Sequence, residues 1–142
     1  HYTAPHAPTI IRAIRETIDD AGLQPEDIQY INAHGTSTPK GDAMEIQCLR
    51  EVFGKNIENI PISSNKSQLG HTLGATAAIE AALTVEGMCR GIILPTINYF
   101  PDPAFADIDV VPNKARKKQV EIALSNAFGF GGTNCCVIFR GV

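Results

Sequence analysis

The sequence predicts an α/β fold: a layered, mixed sheet whose strands run parallel at first and antiparallel at the last step. Three observations carry this. Apolar residues recur at helical spacing in three segments, and short apolar runs separate them. The resulting order, helix-strand-helix-strand-helix-strand-strand, is that of helices layered on a sheet. The last two apolar runs are joined by a short glycine-rich stretch, which suits an antiparallel pair.

Each element has its own signal. Ile10, Ile11, Ile14, Ile18 and Ala21 share one helical face, and Gly22 stops that helix. After the turn Gln24-Pro25-Glu26-Asp27, residues Ile28 to Ala33 read as a strand. A polar loop runs from His34 to Gly41. Asp42 and Glu45 then form an acidic variant of a capping box, which starts a helix at Asp42 with Met44, Cys48, Leu49, Val52 and Phe53 on its apolar face and Gly54 at its end. Ile60 to Ser63 is a short strand and Asn65 to Gly70 a loop. Gly74 to about Met88 is a helix dense in alanine, whose small side chains suit close packing; Gly87 favours an earlier end. Pro95 to Pro112, with four prolines, reads as an irregular excursion. Val120 to Asn126 and Asn134 to Arg140 are the closing strands.

The chain has 142 residues and a formal net charge of -3, the size of one domain without the clustered positive surface that nucleic acid requires. With 44% hydrophobic and 19% charged residues it is no disordered segment. No apolar run approaches the roughly 20 residues of a membrane span. The start, His1-Tyr2-Thr3-Ala4-Pro5, is neither a signal peptide nor an initiating methionine, and is expected to be a cut from a longer chain. Cys48, Cys89, Cys135 and Cys136 form no C-x-x-C pair, and the adjacent two face opposite sides of a strand. They are expected to be reduced, buried, small hydrophobes of a cytoplasmic protein.

Candidate chemistry gathers in three places. His34 follows a strand at its C-terminal end, where open α/β sheets bind ligands. Its loop carries three hydroxyls, Thr36, Ser37 and Thr38, which a solvated turn explains equally well. His71 occupies a matching place after the strand at Ile62. Glu80, flanked by Ile79, Ala81 and Ala82, would be a costly buried carboxylate without a cation, and Lys66 is the nearest candidate; a wet face is the alternative. The turn Phe128 to Asn134 is no dinucleotide fingerprint, since Asn134 stands where the third glycine belongs. It is either a plain hairpin turn or a loop offering backbone N–H groups to a substrate oxygen. Two histidines, a lysine and a glycine-rich loop suggest a site for stabilising negative charge, and spacing alone names no reaction.

Three stretches carry a resemblance. Asn32 to Asp42 (NAHGTSTPKGD) resembles the first histidine motif of the β-ketoacyl-[acyl-carrier-protein] synthases, Ser64 to His71 (SNKSQLGH) their lysine and second-histidine motif, and Asn126 to Asn134 (NAFGFGGTN) their C-terminal gating loop. They stand in the family's order across nearly the whole chain, closest to the synthase I/II branch. The resemblance implies the C-terminal half (residues 1–142) of a thiolase-like layered fold and a decarboxylative Claisen condensation of fatty-acid elongation. His34 and His71 would donate to the malonyl thioester oxygen, Lys66 would orient the network with Glu80 behind it, the Phe130 N–H would serve the oxyanion hole, and Thr36 and Thr38 would bond the pantetheine amides. A monovalent cation among Asn32, Glu80, Ser125 and Asn126 is also implied. No cofactor is expected, because phosphopantetheine arrives on the acyl carrier protein. The implied partners are that carrier, the N-terminal half of the same enzyme and a second copy in a homodimer.

None of the four cysteines matches the family's acylated cysteine, which belongs to the N-terminal half, and a strand expected before His1, central in the sheet, is absent. The chain alone is therefore expected to be inactive. The competing readings are a polyketide ketosynthase domain, a non-catalytic partner or scaffold fragment, and a cysteine hydrolase pairing a thiol with His34 or His71.

Overall fold

Ile10, Ile14 and Ile18 stand four apart and form the buried stripe of α1 (Ala7–Asp20), with Pro8 in its first turn. The computed structural model describes residues 6–141. Gly22 takes φ 65° and turns the chain out of α1. β1 (Tyr30–Asn32) is the buried centre of the run read as a strand. α2 (Pro39–Phe53) starts three residues before the expected Asp42, because Pro39 supplies a helical φ and Thr38 holds the extended cap position.

β2 (Ile62–Ser63) leads into α3 (Lys66–Leu69), a single helical turn where a loop was expected. α4 (Thr76–Arg90) follows a 3-10 turn at Leu73–Ala75. It does not end early at Gly87. A Cβ at that position would lie 2.6 Å from the Ile92 carbonyl oxygen, so the glycine permits a close approach, and Gly91 at φ 63° ends the helix. β3 (Ile92–Ile93) and β4 (Arg116–Lys117) form an unexpected two-stranded antiparallel ribbon around the proline-rich excursion. β5 (Ile122–Phe128) and β6 (Asn134–Arg140) are the expected hairpin, from Ile122 opposite Arg140 to Phe128 opposite Asn134.

The main sheet runs β2-β1-β5-β6, parallel except for β6. β1 bonds directly to β5, Ile31 beside Leu124, so the strand expected at the centre leaves no gap there. That strand itself would lie outside the described residues. Alternation divides the core. Ile31 and Leu124 join the α1 and α2 side with Leu49 and Phe53, while Tyr30 and Ala123 join the α4 side with Met88 and Val120. The sheet thus lies between two helical layers. Among the described residues no helix is long and apolar enough to cross a membrane.

α4 corrects the reading of its alanines. Its buried stripe is Thr76, Glu80, Thr84 and Met88, whereas Ala77, Ala78 and Ala82 are exposed, as are Ile79 at 37% and Val85 at 41%. Polar groups face in and small apolar groups face out, the reverse of an ordinary surface helix.

Candidate active site

The C-terminal ends of β1 and β2 deliver the two histidines. His34 lies two residues beyond β1, and its ring is set by a backbone donor: the Phe128 N–H donates to His34 Nδ1 at 3.3 Å. Nδ1 is therefore an acceptor and Nε2 carries the proton. Burial, the Lys66 charge and His71 hold the His34 pKa down to about 4, so the ring is neutral at pH 7. The loop behind it turns at Gly35 with φ 37°, where a Cβ would meet the Ser64 Cβ at 2.7 Å.

His71 is set in the same way. The Leu73 N–H donates to His71 Nδ1 at 3.3 Å, and the Thr76 hydroxyl lies 3.0 Å from the same nitrogen. Leu73 itself holds φ 51°, a left-handed conformation costly for leucine, which aims its N–H back at the ring. The two imidazole centroids are 5.6 Å apart and the rings nearly perpendicular at 87°. Neither Nε2 has a protein partner among the described residues. Two preset N–H donors side by side can stabilise one developing oxyanion.

Lys66 and Glu80 meet as expected: Lys66 Nζ donates to Glu80 Oε1 at 2.7 Å, with side-chain exposures of 5% and 2%. Burial pushes the Glu80 carboxyl up, against the opposing pull of Lys66. The buried carboxylate was legible, but its surroundings were not. The alanines and Ile79 beside it in sequence point outward.

Glu45 was missed as a site residue because its place beside Asp42 reads as a cap. It is 4% exposed and accepts from the N–H groups of His34 at 2.9 Å and Gly35 at 2.8 Å, and from Asn126 Nδ2 at 3.2 Å. It ties α2 to the histidine loop and to β5. No capping pattern separates such a clamp from a cap. Glu45→Ala in a full-length protein should cost about 1.5–3 kcal/mol in urea unfolding, since charge-assisted hydrogen bonds are lost. Stability equal to the parent's would show that the loop is held by other means.

The other expected residues are placed as follows. The hydroxyls of Thr36 and Thr38 lie 3.1 Å apart. Thr36 lines a cleft of about 610 Å³ with Ser64, Lys66, His71, Tyr99 and Phe100. Phe130 is 70% exposed in a 3-10 turn between β5 and β6. Asn32 Nδ2 donates to Ser125 Oγ at 3.0 Å. Asn32 Oδ1, Asn126 Oδ1 and Glu80 Oε2 are buried without a hydrogen-bond partner.

The thiols do not enter the site. Only Cys48 is buried, Cys136 is half-buried, Cys89 and Cys135 are exposed, and all four are free, which corrects the expectation of four buried cysteines. Burial pushes the Cys48 thiol up to about 11 and Cys136 up to about 12, away from reactivity. Both imidazole Nδ1 atoms are taken by backbone N–H groups, with no thiol among their partners.

Known proteins are similar to this chain in sequence and backbone. Residues 1–100 match the family described as "Beta-ketoacyl synthase, C-terminal domain". The chain is 45% identical over 130 residues to 3-oxoacyl-[acyl-carrier-protein] synthase 2 of Staphylococcus aureus, covering 91% of this chain and 32% of that protein. Its backbone is similar to that of a beta-ketoacyl synthase from Burkholderia phymatum STM815, with TM-score 0.93 and 47% identity over all of this chain and 34% of the other. A type II polyketide ketosynthase, solved with its acyl carrier protein and bound to the hexaketide, is similar at TM-score 0.93 and 35% identity, covering 100% of this chain and 35% of its own. The chain thus spans about a third of the length of these relatives. On these matches the chain belongs to the β-ketoacyl synthase family, in its C-terminal domain.

Proposed function

We propose that these residues form the C-terminal half of a 3-oxoacyl-[acyl-carrier-protein] synthase of fatty-acid elongation and supply its decarboxylation site. The observation that carries this is the pair of neighbouring imidazoles, each with Nδ1 occupied by a backbone N–H and Nε2–H free. Malonyl on the carrier's phosphopantetheine arm enters the cleft, where Thr36 and Thr38 bond its amides. The bond from the α-carbon to the carboxylate breaks, carbon dioxide leaves, and the electron pair forms an enolate whose oxygen receives both Nε2–H bonds. The α-carbon then attacks an acyl thioester on a cysteine of the N-terminal half. The resulting oxyanion takes the Phe130 N–H, and collapse expels the cysteine thiolate. No bound cofactor takes part.

The exposed apolar surface formed by α3, the 3-10 turn after it and the outer face of α4 supports the N-terminal half as a partner. Leu69, Leu73, Ile79 and Val85 continue from the edge of His71, and relatives carry about twice this length in addition. A homodimer of the full protein, in the cytoplasm, completes the proposal.

A monovalent cation fits the oxygens offered. Asn32, Asn126 and Glu80 each bury an acceptor without a partner, and Ser125 lies beside Asn32. Hard oxygen donors suit an alkali ion. Such an ion would balance charge between β1, β5 and α4.

The experiment is product analysis of the full-length protein with acyl- and malonyl-carrier protein. One two-carbon extension per turnover supports fatty-acid elongation, repeated extension without reduction supports the polyketide reading, and no condensation overturns both. A second measurement uses His34. Its folded pKa of about 4 lies below the ordinary 6.5, so the unfolded chain binds the extra proton. The stability this gives is full above pH 6.5 and fades as pH falls toward 4. Thermal melting of His34→Gln should therefore lose less between pH 6.5 and 4 than the parent does. Parallel curves would show that His34 does not titrate in this way.

A further inference from the structure

The geometry points to Thr76 as a positioning residue that, with Thr72, secures the Nε2–H tautomer and orientation of His71, which the longer Leu73 N–H bond holds only loosely. The inference rests on the decarboxylation role proposed for His71.

Three hydrogen bonds settle the direction of every proton. The Leu73 backbone N–H can only donate, so His71 Nδ1 is an acceptor. The Thr76 hydroxyl, 3.0 Å from that nitrogen, must then donate to it. Its single proton is used, so toward Thr72 Oγ1, also at 3.0 Å, it must accept. The chain reads Thr72 O–H to Thr76 O–H to His71 Nδ1, with the ring's proton forced to Nε2. Either hydroxyl reversed would leave two hydrogens or two lone pairs face to face.

The placement of Thr76 excludes the ordinary use of such a residue. Threonine at a helix start commonly caps backbone N–H groups, yet Thr76 is the first residue inside α4 and no side chain caps that helix. The residue is 5% exposed, so its hydroxyl has no water to fall back on and depends on the ring. Thr72 is exposed and can exchange its role with solvent. The relay therefore has one essential member and one supporting member. At 3.3 Å the Leu73 N–H···Nδ1 bond is a long one and leaves the ring torsion loosely held. The hydroxyl supplies the second fixed direction.

The test uses a full-length synthase carrying 15N-labelled histidine, with His71 signals assigned from His71→Gln. The parent should show the Nε2–H tautomer with Nδ1 hydrogen-bonded. In Thr76→Val, which keeps shape and removes the hydroxyl, the Nδ1 shift should move and the Nδ1–H form appear. Malonyl decarboxylation should fall on the order of fivefold in kcat, the scale of one neutral hydrogen bond, with KM for malonyl-carrier protein kept. Thr76→Ser should restore both signals, and Thr72→Val should show the smaller change. An unchanged tautomer in Thr76→Val, or Thr76→Ser as impaired as Thr76→Val, would overturn the relay. Should His71→Ala decarboxylate at the parent rate, the role of His71 fails instead, and the 15N signals still decide the relay.

Discussion

Replacing either histidine by alanine in a full-length synthase should slow malonyl decarboxylation by about 10²–10³-fold, the loss seen when one oxyanion donor is removed. The expectation follows from how each ring is held. Phe128 donates to His34 Nδ1, and Leu73 together with the Thr76 hydroxyl holds His71 Nδ1, so each ring presents a set Nε2–H before substrate arrives. Burial, Lys66 and the neighbouring ring keep His34 neutral, so it donates without adding a second positive charge to the site. Self-acylation of the nucleophilic cysteine does not use the enolate, and both variants should keep most of it. The check is to measure carbon dioxide release and acyl transfer separately. A variant that releases carbon dioxide at the parent rate would remove that histidine from the mechanism.

The site's chemistry lay open in the sequence wherever a side chain's identity settles its use. A histidine following each of two successive strands, and a carboxylate that would need a cation if buried, required no coordinates. The hairpin and its glycine-rich turn were equally plain, because a short connection permits one topology. What stayed hidden depends on which way a face points. The alanines of α4, with Ile79 and Val85, lie away from Thr76, Glu80 and Thr84, so apolarity pointed to the outer side of the helix and not to the polar inner stripe. Glu45 sits where a cap belongs, and only the fold reveals that its carboxylate reaches back to His34 and Gly35. β3 and β4 are two residues each, too short for any alternation to register. The start of α2 moved to Pro39 because a fixed φ outweighed the acidic pair downstream.

The inverted face of α4 joins these points to the function. The helix buries Thr76 against His71 and Glu80 against Lys66, and these two build the site. Its exposed alanines leave a smooth surface on which another backbone can approach closely, beside the ring of His71. The same helix places polar groups inward and apolar groups outward, which is why its sequence reads as neither an ordinary core helix nor an ordinary surface helix.

Lys66→Ala and Glu80→Ala should each destabilise the full-length synthase by about 3–5 kcal/mol, the cost of leaving one member of a buried ion pair without its partner. The charged ends are 2.7 Å apart with side-chain exposures of 5% and 2%, so water cannot replace the lost contact. Glu80 has little else to lean on, because its second oxygen is already without a hydrogen-bond partner. Removing both charges together should be milder. A Lys66→Met, Glu80→Leu double variant keeps apolar volume in the pocket and strands no charge, so its midpoint in urea should lie above that of either single variant. Decarboxylation should nonetheless stay low in the double variant. Lys66 lines the cleft with His71, and its charge helps to keep His34 neutral. Recovered stability without recovered activity would separate the pair's part in folding from its part in catalysis. Single variants as stable as the parent would mean that the pair is solvated in the full protein, and Lys66 would then have no positioning role.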